Sequence, residues 1–255
     1  MSPQQRALAA ECEYHERLYS GSAQAIFARP AVRAFRAHLV SRILDKTGAS
    51  PRSRVLSIGC GIGDTELLLA PHVRHVTGID IAHNAIQQAR QDAERLNVRN
   101  VEFIQGHLED VQETRFEVVL AIFFLHHLPD PELAALPGRV AKLLAPGGVF
   151  YSLDPSRLRL SGAIGSVLIP WIVRRYQSPG ERQLDAASTA RCFLEAGYQA
   201  EYDMYDFGST PVAGLFPGWR GGYRAARRVD DILVKTPLLR NFSSNFEVIA
   251  RQREI

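Results

Sequence analysis

The stretch VLSIGCGIGDTELLLA, Val55 to Ala70, decides the fold. It places three glycines, at positions 59, 61 and 63, between a short apolar run and a second apolar run with helical spacing. A strand that passes into a helix through glycines has a turn without Cβ atoms, so a ligand can lie directly against its main chain. The stretch therefore predicts a ligand-binding turn after the first strand of a parallel sheet.

The rest of the chain repeats this alternation of short β-branched runs and longer amphipathic segments. The pattern predicts strands at 54–58, 75–80, 101–105, 116–124, 148–153, 198–207 and 243–251, and helices at 64–70, 83–97, 131–145 and 186–196. Such alternation is typical of βαβ units. We therefore predict an α/β, Rossmann-like, doubly wound fold with a seven-stranded, mostly parallel sheet and helices on both faces.

Composition narrows the class of protein. The 255 residues carry a formal net charge of only +3, which does not by itself call for nucleic acid. Three widely spaced cysteines suggest neither a disulfide framework nor a zinc site. The charged N-terminus lacks the apolar core of a signal peptide, and no apolar run reaches the roughly 18 residues of a membrane span. We expect a cytoplasmic protein, and the sequence favours no particular oligomeric state.

The spacing of the glycines bears on the type of ligand. A dinucleotide-binding turn follows the pattern GxGxxG, which would need glycine at position 64, where this chain has Asp64. An acidic residue at a helix N-terminus also repels a pyrophosphate. The turn therefore favours a cationic or zwitterionic ligand over a diphosphate, which argues against a nicotinamide-dependent oxidoreductase.

The second strand ends in GIDIA, which places Asp80 at 17 residues after Gly63. A carboxylate in this position can accept hydrogen bonds from both hydroxyls of a ribose, and Ile81 beside it offers an apolar surface to a base. An alternative role for Asp80 is to cap the helix that begins near His83.

Five motifs in order carry a family resemblance: VLSIGCGIG, GID, FIQGHLED, VVLAIFFLHHLPD and LLAPGGVFYSLD. Together they resemble the class I S-adenosylmethionine-dependent methyltransferases, especially the branch that acts on small molecules. The resemblance covers about residues 50–155 and implies S-adenosyl-L-methionine as the cofactor. It implies that Gly59, Cys60, Gly61 and Gly63 pass beneath the methionine part of the cofactor and that Asp80 binds the ribose.

The resemblance also implies contacts from the third and fourth strands. Gly106, His107 and Leu108 match the motif beside the adenine, where relatives often have an acidic residue in place of His107. A neutral histidine nitrogen can still accept a hydrogen bond there. The carbonyls of Ala121 and Ile122, at the end of the fourth strand, match positions that face the methionine amine.

Ser57 departs from the family pattern. Relatives commonly have Asp or Glu at this position, aimed toward the ammonium group of the cofactor, whereas serine brings no charge. Asp64, just past the turn, is our candidate for the missing negative charge.

The segment LHHLPD places two histidines just beyond the fourth strand. His126 is our candidate for a general base or for positioning the acceptor, because it follows the apolar strand directly. The alternative is that the histidines shape the start of the next helix. His127 and Asp154 are candidate acceptor-binding residues, although Asp154 could equally cap the turn at Pro155. We predict no metal site.

Two aromatic residues near the N-terminus, Tyr14 and Tyr19, match aromatics that in similar enzymes fold over the cofactor, with core packing of an amphipathic helix as the alternative. We expect one domain over 1–255, with an N-terminal helical cap at 1–48, a cofactor-binding core at 50–155 and helical lid insertions at 155–182 and 211–241, after strands 5 and 6.

The two insertions are apolar and basic, and they bear on the acceptor. Trp171 and Tyr176 in the first insertion are candidate acceptor-binding residues. Such composition fits a small hydrophobic acceptor and allows contact with a membrane surface, although apolar helices more often pack as a lid than bind a ligand, so a self-packed lid is the favoured alternative. The basic residues lack the interleaved aromatics of a nucleic-acid platform, so we expect no nucleic-acid partner.

The sequence thus predicts S-adenosylmethionine-dependent methyl transfer to oxygen, nitrogen or carbon of a small organic acceptor. A non-catalytic protein that binds the cofactor and regulates a partner is the alternative from another class.

Overall fold

The structure is a computed structural model, and it describes residues 10, 12–17, 19, 28–112, 115–168 and 181–253. One seven-stranded sheet runs through it in the order β3-β2-β1-β4-β5-β7-β6. The strands are β1 (Arg54–Ile58), β2 (His75–Asp80), β3 (Val101–Gln105), β4 (Phe116–Ile122), β5 (Leu144–Pro155), β6 (Gln199–Asp206) and β7 (Asn245–Arg251). Only β7 runs antiparallel to its neighbours, which confirms the predicted mostly parallel sheet.

Eight α-helices surround the sheet within the described residues. They are α1 (Pro30–Thr47), α2 (Asp64–Leu69), α3 (His83–Arg95), α4 (Asp130–Leu143), α5 (Leu160–Leu168), α6 (Ala186–Glu195), α7 (Ser209–Leu215) and α8 (Arg220–Leu233). Residues 12–17 are also helical. Among the described residues, no helix combines the length and apolar character needed to cross a membrane.

The helices bury apolar side chains against both faces of the sheet, as predicted. On one face, Leu136 of α4 and Phe193 of α6 pack against strand residues such as Phe150. On the other face, Phe35 and Leu39 of α1 belong to a second buried cluster. These two apolar layers hold the strands in fixed register, so the loops at the strand ends have defined positions.

Two predicted boundaries differ from the structure for identifiable reasons. Strand β4 ends at Ile122 rather than at residue 124, because Phe123 adopts φ +54°, a left-handed conformation that cannot continue a strand. Strand β5 begins at Leu144, whereas residue 148 was predicted as its start. Leu144 already pairs with Phe116 of β4, and the pairing of the two strands shifts in register after this pair. The helix before it accordingly ends at Leu143.

The topology brings the candidate residues to one edge of the sheet. Strands β1 to β6 all run in the same direction, so the segments that follow them lie at the same edge, here called the carboxyl edge. The glycine turn follows β1, Asp80 ends β2, and the histidine pair follows β4. In doubly wound folds this edge is where ligands bind.

Candidate active site

The glycine turn connects β1 to α2 in the predicted manner. Gly59, Gly61 and Gly63 have φ values of +66°, +54° and +71°, which residues with a Cβ rarely adopt. Side chains of the protein also approach this main chain closely. A Cβ at Gly61 would lie 2.6 Å from Tyr19 Oη, and one at Gly59 would lie 2.3 Å from the ring of Phe124. Glycine is therefore required here by backbone conformation and by close packing together.

Asp80 ties the end of β2 to the turn. Its Oδ2 accepts a hydrogen bond from the main-chain N–H of Gly61 at 2.9 Å, and its Oδ1 accepts one from Ala82 at 2.9 Å. Each carboxylate oxygen keeps a second lone pair, so the group can still accept two hydroxyls. Ala82 is the N-cap residue of the following helix, whose first N–H groups, at His83 and Asn84, donate hydrogen bonds to the side chain of Glu16. Asp80 therefore does not cap this helix. Ile81 follows Asp80 and is half-buried.

A buried carboxylate that the sequence analysis missed lies beneath the turn. Ser57 Oγ donates a hydrogen bond to Glu66 Oε1 at 2.6 Å, and both side chains are buried. Glu66 Oε2 is buried and has no hydrogen-bond partner among the described residues. Burial is the main cause that raises the pKa of Glu66 to about 7, against the lowering effect of the Ser57 hydrogen bond.

Asp64 does not reach Ser57. Its Oδ2 lies 2.8 Å from Arg36 Nε of α1, and Arg36 also donates to Thr65 Oγ1 at 3.1 Å. The negative charge of Asp64 is thus already balanced by a guanidinium, whereas Glu66 contacts the position where relatives carry an acid. One sequence signal could have found Glu66: it directly precedes three leucines in a short helix.

Cys60 contributes main chain rather than a thiol. Its N–H donates to Ile79 O at 3.1 Å, and its side chain belongs to a buried cluster with Leu67, Ile86 and Phe103. Burial raises the pKa of the thiol well above its usual value, so it is held neutral and unreactive.

The predicted adenine-side residues follow β3. The main-chain N–H of His107 donates to Asp110 Oδ2 at 2.8 Å, and its side chain caps the short 3₁₀ helix 108–110 in return. His107 is exposed, and Leu108 packs partly against the core. Ala121 and Ile122, at the end of β4, are buried. The structure therefore places all of these residues at the carboxyl edge and gives His107 a local capping role.

Behind the histidine pair lies a buried aspartate. His126 Nδ1 is 2.9 Å from Asp154 Oδ1, and His126 and Asp154 are 6% and 0% exposed. Asp154 lies within β5, opposite Phe246 of β7, so it does not cap the turn at Pro155. Burial raises the pKa of Asp154 well above its ordinary value, which the main-chain N–H groups facing it only partly offset.

Aromatic side chains near the N-terminus contact both the glycine turn and the histidine pair. The His15 ring stacks on Tyr19 at 6.0 Å and meets the edge of His127 at 5.0 Å, while Tyr14 packs edge-on against His15. The ring centroids of His126 and His127 are 4.0 Å apart. The pKa of Tyr19 is raised by burial and then by the Asp80 and Asp64 carboxylates, so its hydroxyl stays neutral. Trp171 and Tyr176 lie outside the described residues.

The site thus combines a turn of three left-handed glycines, two carboxylates with unused acceptor capacity and a buried His–Asp pair. Within the described residues, no group of three or more His, Cys, Asp or Glu side chains is arranged to hold a metal ion. The arrangement suits a zwitterionic nucleoside on one side and proton removal from an acceptor on the other.

Comparison with known proteins finds a domain match over part of the chain. Residues 55–148 match the family described as methyltransferase domain. The ubiquinone biosynthesis O-methyltransferase of Yersinia pestis (strain Pestoides F) is 33% identical over 114 residues, which are 43% of this chain and 46% of that protein. The 23S rRNA (uracil(1939)-C(5))-methyltransferase RlmD of Aliivibrio fischeri (strain MJ11) is 33% identical over 123 residues, which are 47% of this chain and 28% of that protein. The chain thus spans about half or less of the length of these curated relatives.

Solved structures agree on the fold over nearly the whole chain. The N-methyltransferase NodS from Bradyrhizobium japonicum WM9, in complex with S-adenosyl-L-homocysteine, has a TM-score of 0.61 at 18% identity, with 94% of this chain and 97% of that chain covered. The DhpI–SAH complex has a TM-score of 0.62 at 18% identity, with 97% of each chain covered. Residues 55–148 thus match a methyltransferase domain, and the fold over nearly the whole chain is that of these S-adenosylhomocysteine complexes.

Proposed function

We propose that the protein transfers the methyl group of S-adenosylmethionine to a hydroxyl oxygen of a small, hydrophobic organic acceptor. The observation that carries the proposal is the buried His126–Asp154 pair, which lies at the same edge of the sheet as the glycine turn and Asp80. An acceptor that must lose a proton needs a base, and a hydroxyl is such an acceptor.

The residues of the turn fit the cofactor. Gly61 leaves room for a ligand to lie against main chain once the Tyr19 side chain gives way, whereas Gly59 and Gly63 pack against Phe124 and Phe103. Asp80 keeps two lone pairs for the ribose hydroxyls. The buried, unpartnered Glu66 Oε2 offers a charge to the ammonium group of the methionine part. When bound, S-adenosylmethionine supplies the methyl group as an electrophile on sulfur.

The protein's own part is to position the acceptor and to take its proton. Asp154 fixes the orientation of the His126 ring through Nδ1, which makes Nε2 the nitrogen that receives the acceptor proton. The ring centroids of His127 and His15 lie 5.0 Å apart, and the His127 ring is also next to that of His126. The Yersinia relative, named for O-methylation in ubiquinone biosynthesis, supports a hydroxyl acceptor, whereas the RlmD relative, named for 23S rRNA, supports an RNA acceptor instead.

A transfer assay with a radiolabelled methyl group tests this proposal. The acceptors compared are phenols with an apolar tail, matched amines and a 23S rRNA fragment. We expect label on the phenols and a fall in kcat of about 10²- to 10⁴-fold for His126→Asn, with unchanged affinity for S-adenosylhomocysteine. The matched control is His72→Asn, an exposed histidine at the opposite edge, which should behave as wild type.

Three results would contradict the proposal. Label on the rRNA fragment alone would assign an RNA acceptor. Tight binding of S-adenosylhomocysteine with no transfer to any acceptor would favour the alternative of a non-catalytic, cofactor-binding regulator. Full activity of His126→Asn would remove the base from the mechanism.

A further inference from the structure

Most of the exposed large apolar side chains of this protein lie in two segments of the chain. Among the described residues, fourteen large apolar side chains are exposed, and eleven of them lie in two segments, 156–185 between β5 and α6 and 207–244 between β6 and β7. The most exposed are Leu238 at 83%, Val167 at 78%, Ile232 at 69% and Trp219 at 60%. Scattered surface leucines are ordinary, but a concentration of this kind marks an interaction surface.

Topology places the ends of both segments at the carboxyl edge. Strand β5 ends at Pro155 and β6 at Asp206, both at that edge, and antiparallel β7 starts there, with Asn245 opposite both residues. The second segment therefore leaves and returns at the same edge as the candidate active site. The described residues of the two segments, 156–168, 181–185 and 207–244, are here called the edge surface.

The edge surface is strongly basic. The described residues of the edge surface hold nine Lys and Arg against four Asp and Glu, although the whole chain has a net charge of only +3. The remaining residues of the chain together carry a net charge of −2, so positive charge is concentrated in the edge surface.

The acids of the edge surface are already engaged, whereas several of its bases are not. Asp230 is buried and accepts from the main-chain N–H groups of Gly208 and Ser209, and Asp231 pairs with Arg227 at 2.8 Å. In the described part of the chain, no carboxylate lies within 4 Å of Arg224, Arg228, Lys235 or Arg240. These four exposed cations have their charge available for an external partner.

Helix α8 combines both properties on one outward side. Tyr223 and Asp230 face the protein and are buried, while Val229 and Ile232, three residues apart, are exposed beside Arg224 and Arg228. A helix with exposed aliphatic residues flanked by arginines is suited to lie at the interface of a bilayer that contains anionic lipids.

We propose that the edge surface docks onto a bilayer containing anionic phospholipids, with its aliphatic side chains in the interface and its basic side chains against the headgroups. Eight of the eleven exposed apolar residues are aliphatic and cannot stack on bases as aromatic residues do, which favours lipid over nucleic acid. The proposal concerns a surface and does not depend on the identity of the methyl acceptor.

Flotation of the full chain with vesicles tests the proposal. We expect it to float with vesicles of phosphatidylcholine and phosphatidylglycerol at about 7:3, less so as salt is raised, and not with pure phosphatidylcholine. The double variant Ile232→Glu/Leu238→Glu should lose at least tenfold in binding. The matched control is Leu96→Glu/Leu194→Glu, which changes two exposed leucines at the ends of helices that lead to the opposite edge.

The same wild-type and variant proteins also distinguish membrane docking from other uses of the edge surface. Thermal unfolding of each variant checks that it is folded, so a loss of flotation reports on the surface. Failure of the wild type to float with anionic vesicles would overturn the proposal, as would equal loss in both double variants. Binding of RNA without binding of vesicles, or a dimer that dissociates in Ile232→Glu/Leu238→Glu, would also overturn it and assign the edge surface to another partner.

Discussion

The buried carboxylate of Glu66 is the largest difference between the glycine turn predicted from the sequence and the turn in the structure. It lies on α2, contacts Ser57 at 2.6 Å and leaves one oxygen without a partner among the described residues. A buried acid without a cation is costly when ionised, which is why its pKa is raised to about 7. A cationic group that enters the site would relieve this cost.

The raised pKa of Glu66 predicts a pH dependence of stability. Between pH 4.5, the ordinary pKa of glutamate, and about 7, the folded protein holds a proton that the unfolded chain has released. The contribution of Glu66 to the free energy of unfolding is therefore fully present below pH 4.5 and is lost as the pH rises through 7. The loss amounts to about 3 kcal/mol, at 1.36 kcal/mol per pKa unit.

Denaturant unfolding at pH 5 and at pH 8 measures this effect. We expect the wild type to lose more stability over this range than Glu66→Gln, which cannot ionise. Glu195→Gln removes an exposed acid from α6 and should retain the wild-type pH dependence. Identical pH dependence in wild type and Glu66→Gln would show that Glu66 is ionised throughout.

The same residue predicts a change in cofactor affinity. If Glu66 supplies the charge that relatives carry at position 57, Glu66→Gln should weaken binding of S-adenosylhomocysteine by about 10- to 100-fold, the range for a charged hydrogen bond. Adding Ser57→Asp in the Glu66→Gln background should restore most of the affinity. Calorimetry at pH 7.5 measures both, and 5′-methylthioadenosine, which lacks the ammonium group, should bind both proteins equally. Unchanged affinity in Glu66→Gln would exclude this role.

At the scale of elements, α1 is anchored to the sheet by a buried ionic network. Arg42 Nε lies 3.0 and 3.1 Å from the carboxylate oxygens of Glu247 on β7, and Tyr151 of β5 donates to the same carboxylate at 2.8 Å. Glu247 is fully buried, so its charge depends on Arg42, with Lys46 farther away at 4.0 Å. The network fixes α1, which also carries Arg36 to the glycine turn.

Removal of Arg42 should therefore destabilise the protein strongly. We expect Arg42→Ala to lower the free energy of unfolding by about 3–5 kcal/mol, because it leaves a buried carboxylate without its cation. In the double variant Arg42→Met/Glu247→Leu the charge is gone as well, so much of the stability should return. Urea unfolding of both variants checks this, and a loss below 1 kcal/mol in Arg42→Ala would mean that Lys46 or water replaces the guanidinium.

At the scale of the whole molecule, the sequence predicted the seven strands and their helices because each element has its own period and its own terminating residues. The observed bounds of β2, α2 and β6 lie within two residues of the predicted ones, because local sequence signals set these bounds. The end of β4 was missed because the left-handed Phe123 is set by packing and not by a glycine. Packing between residues far apart in the sequence sets such boundaries, so the local sequence does not predict them.

The candidate site was predictable only in part for the same reason. The glycines, Asp80 and His126 stand in local motifs, and the structure brings them to one edge. The pairings of Asp154 with His126, 28 residues apart, and of Asp64 with Arg36, on another helix, arise from the fold and have no signal in the local sequence. The sequence thus indicates which residues carry chemistry, whereas the structure supplies their partners.

The most direct test of the central claim is a titration of S-adenosylhomocysteine into the wild type and Asp80→Asn, with NADH as the competing ligand. We predict one site per chain for S-adenosylhomocysteine, no binding of NADH, and at least tenfold weaker binding of S-adenosylhomocysteine in Asp80→Asn, since the amide leaves one acceptor oxygen. Binding of NADH in place of S-adenosylhomocysteine, or equal affinity in the two proteins, would contradict the placement of the nucleoside on this turn.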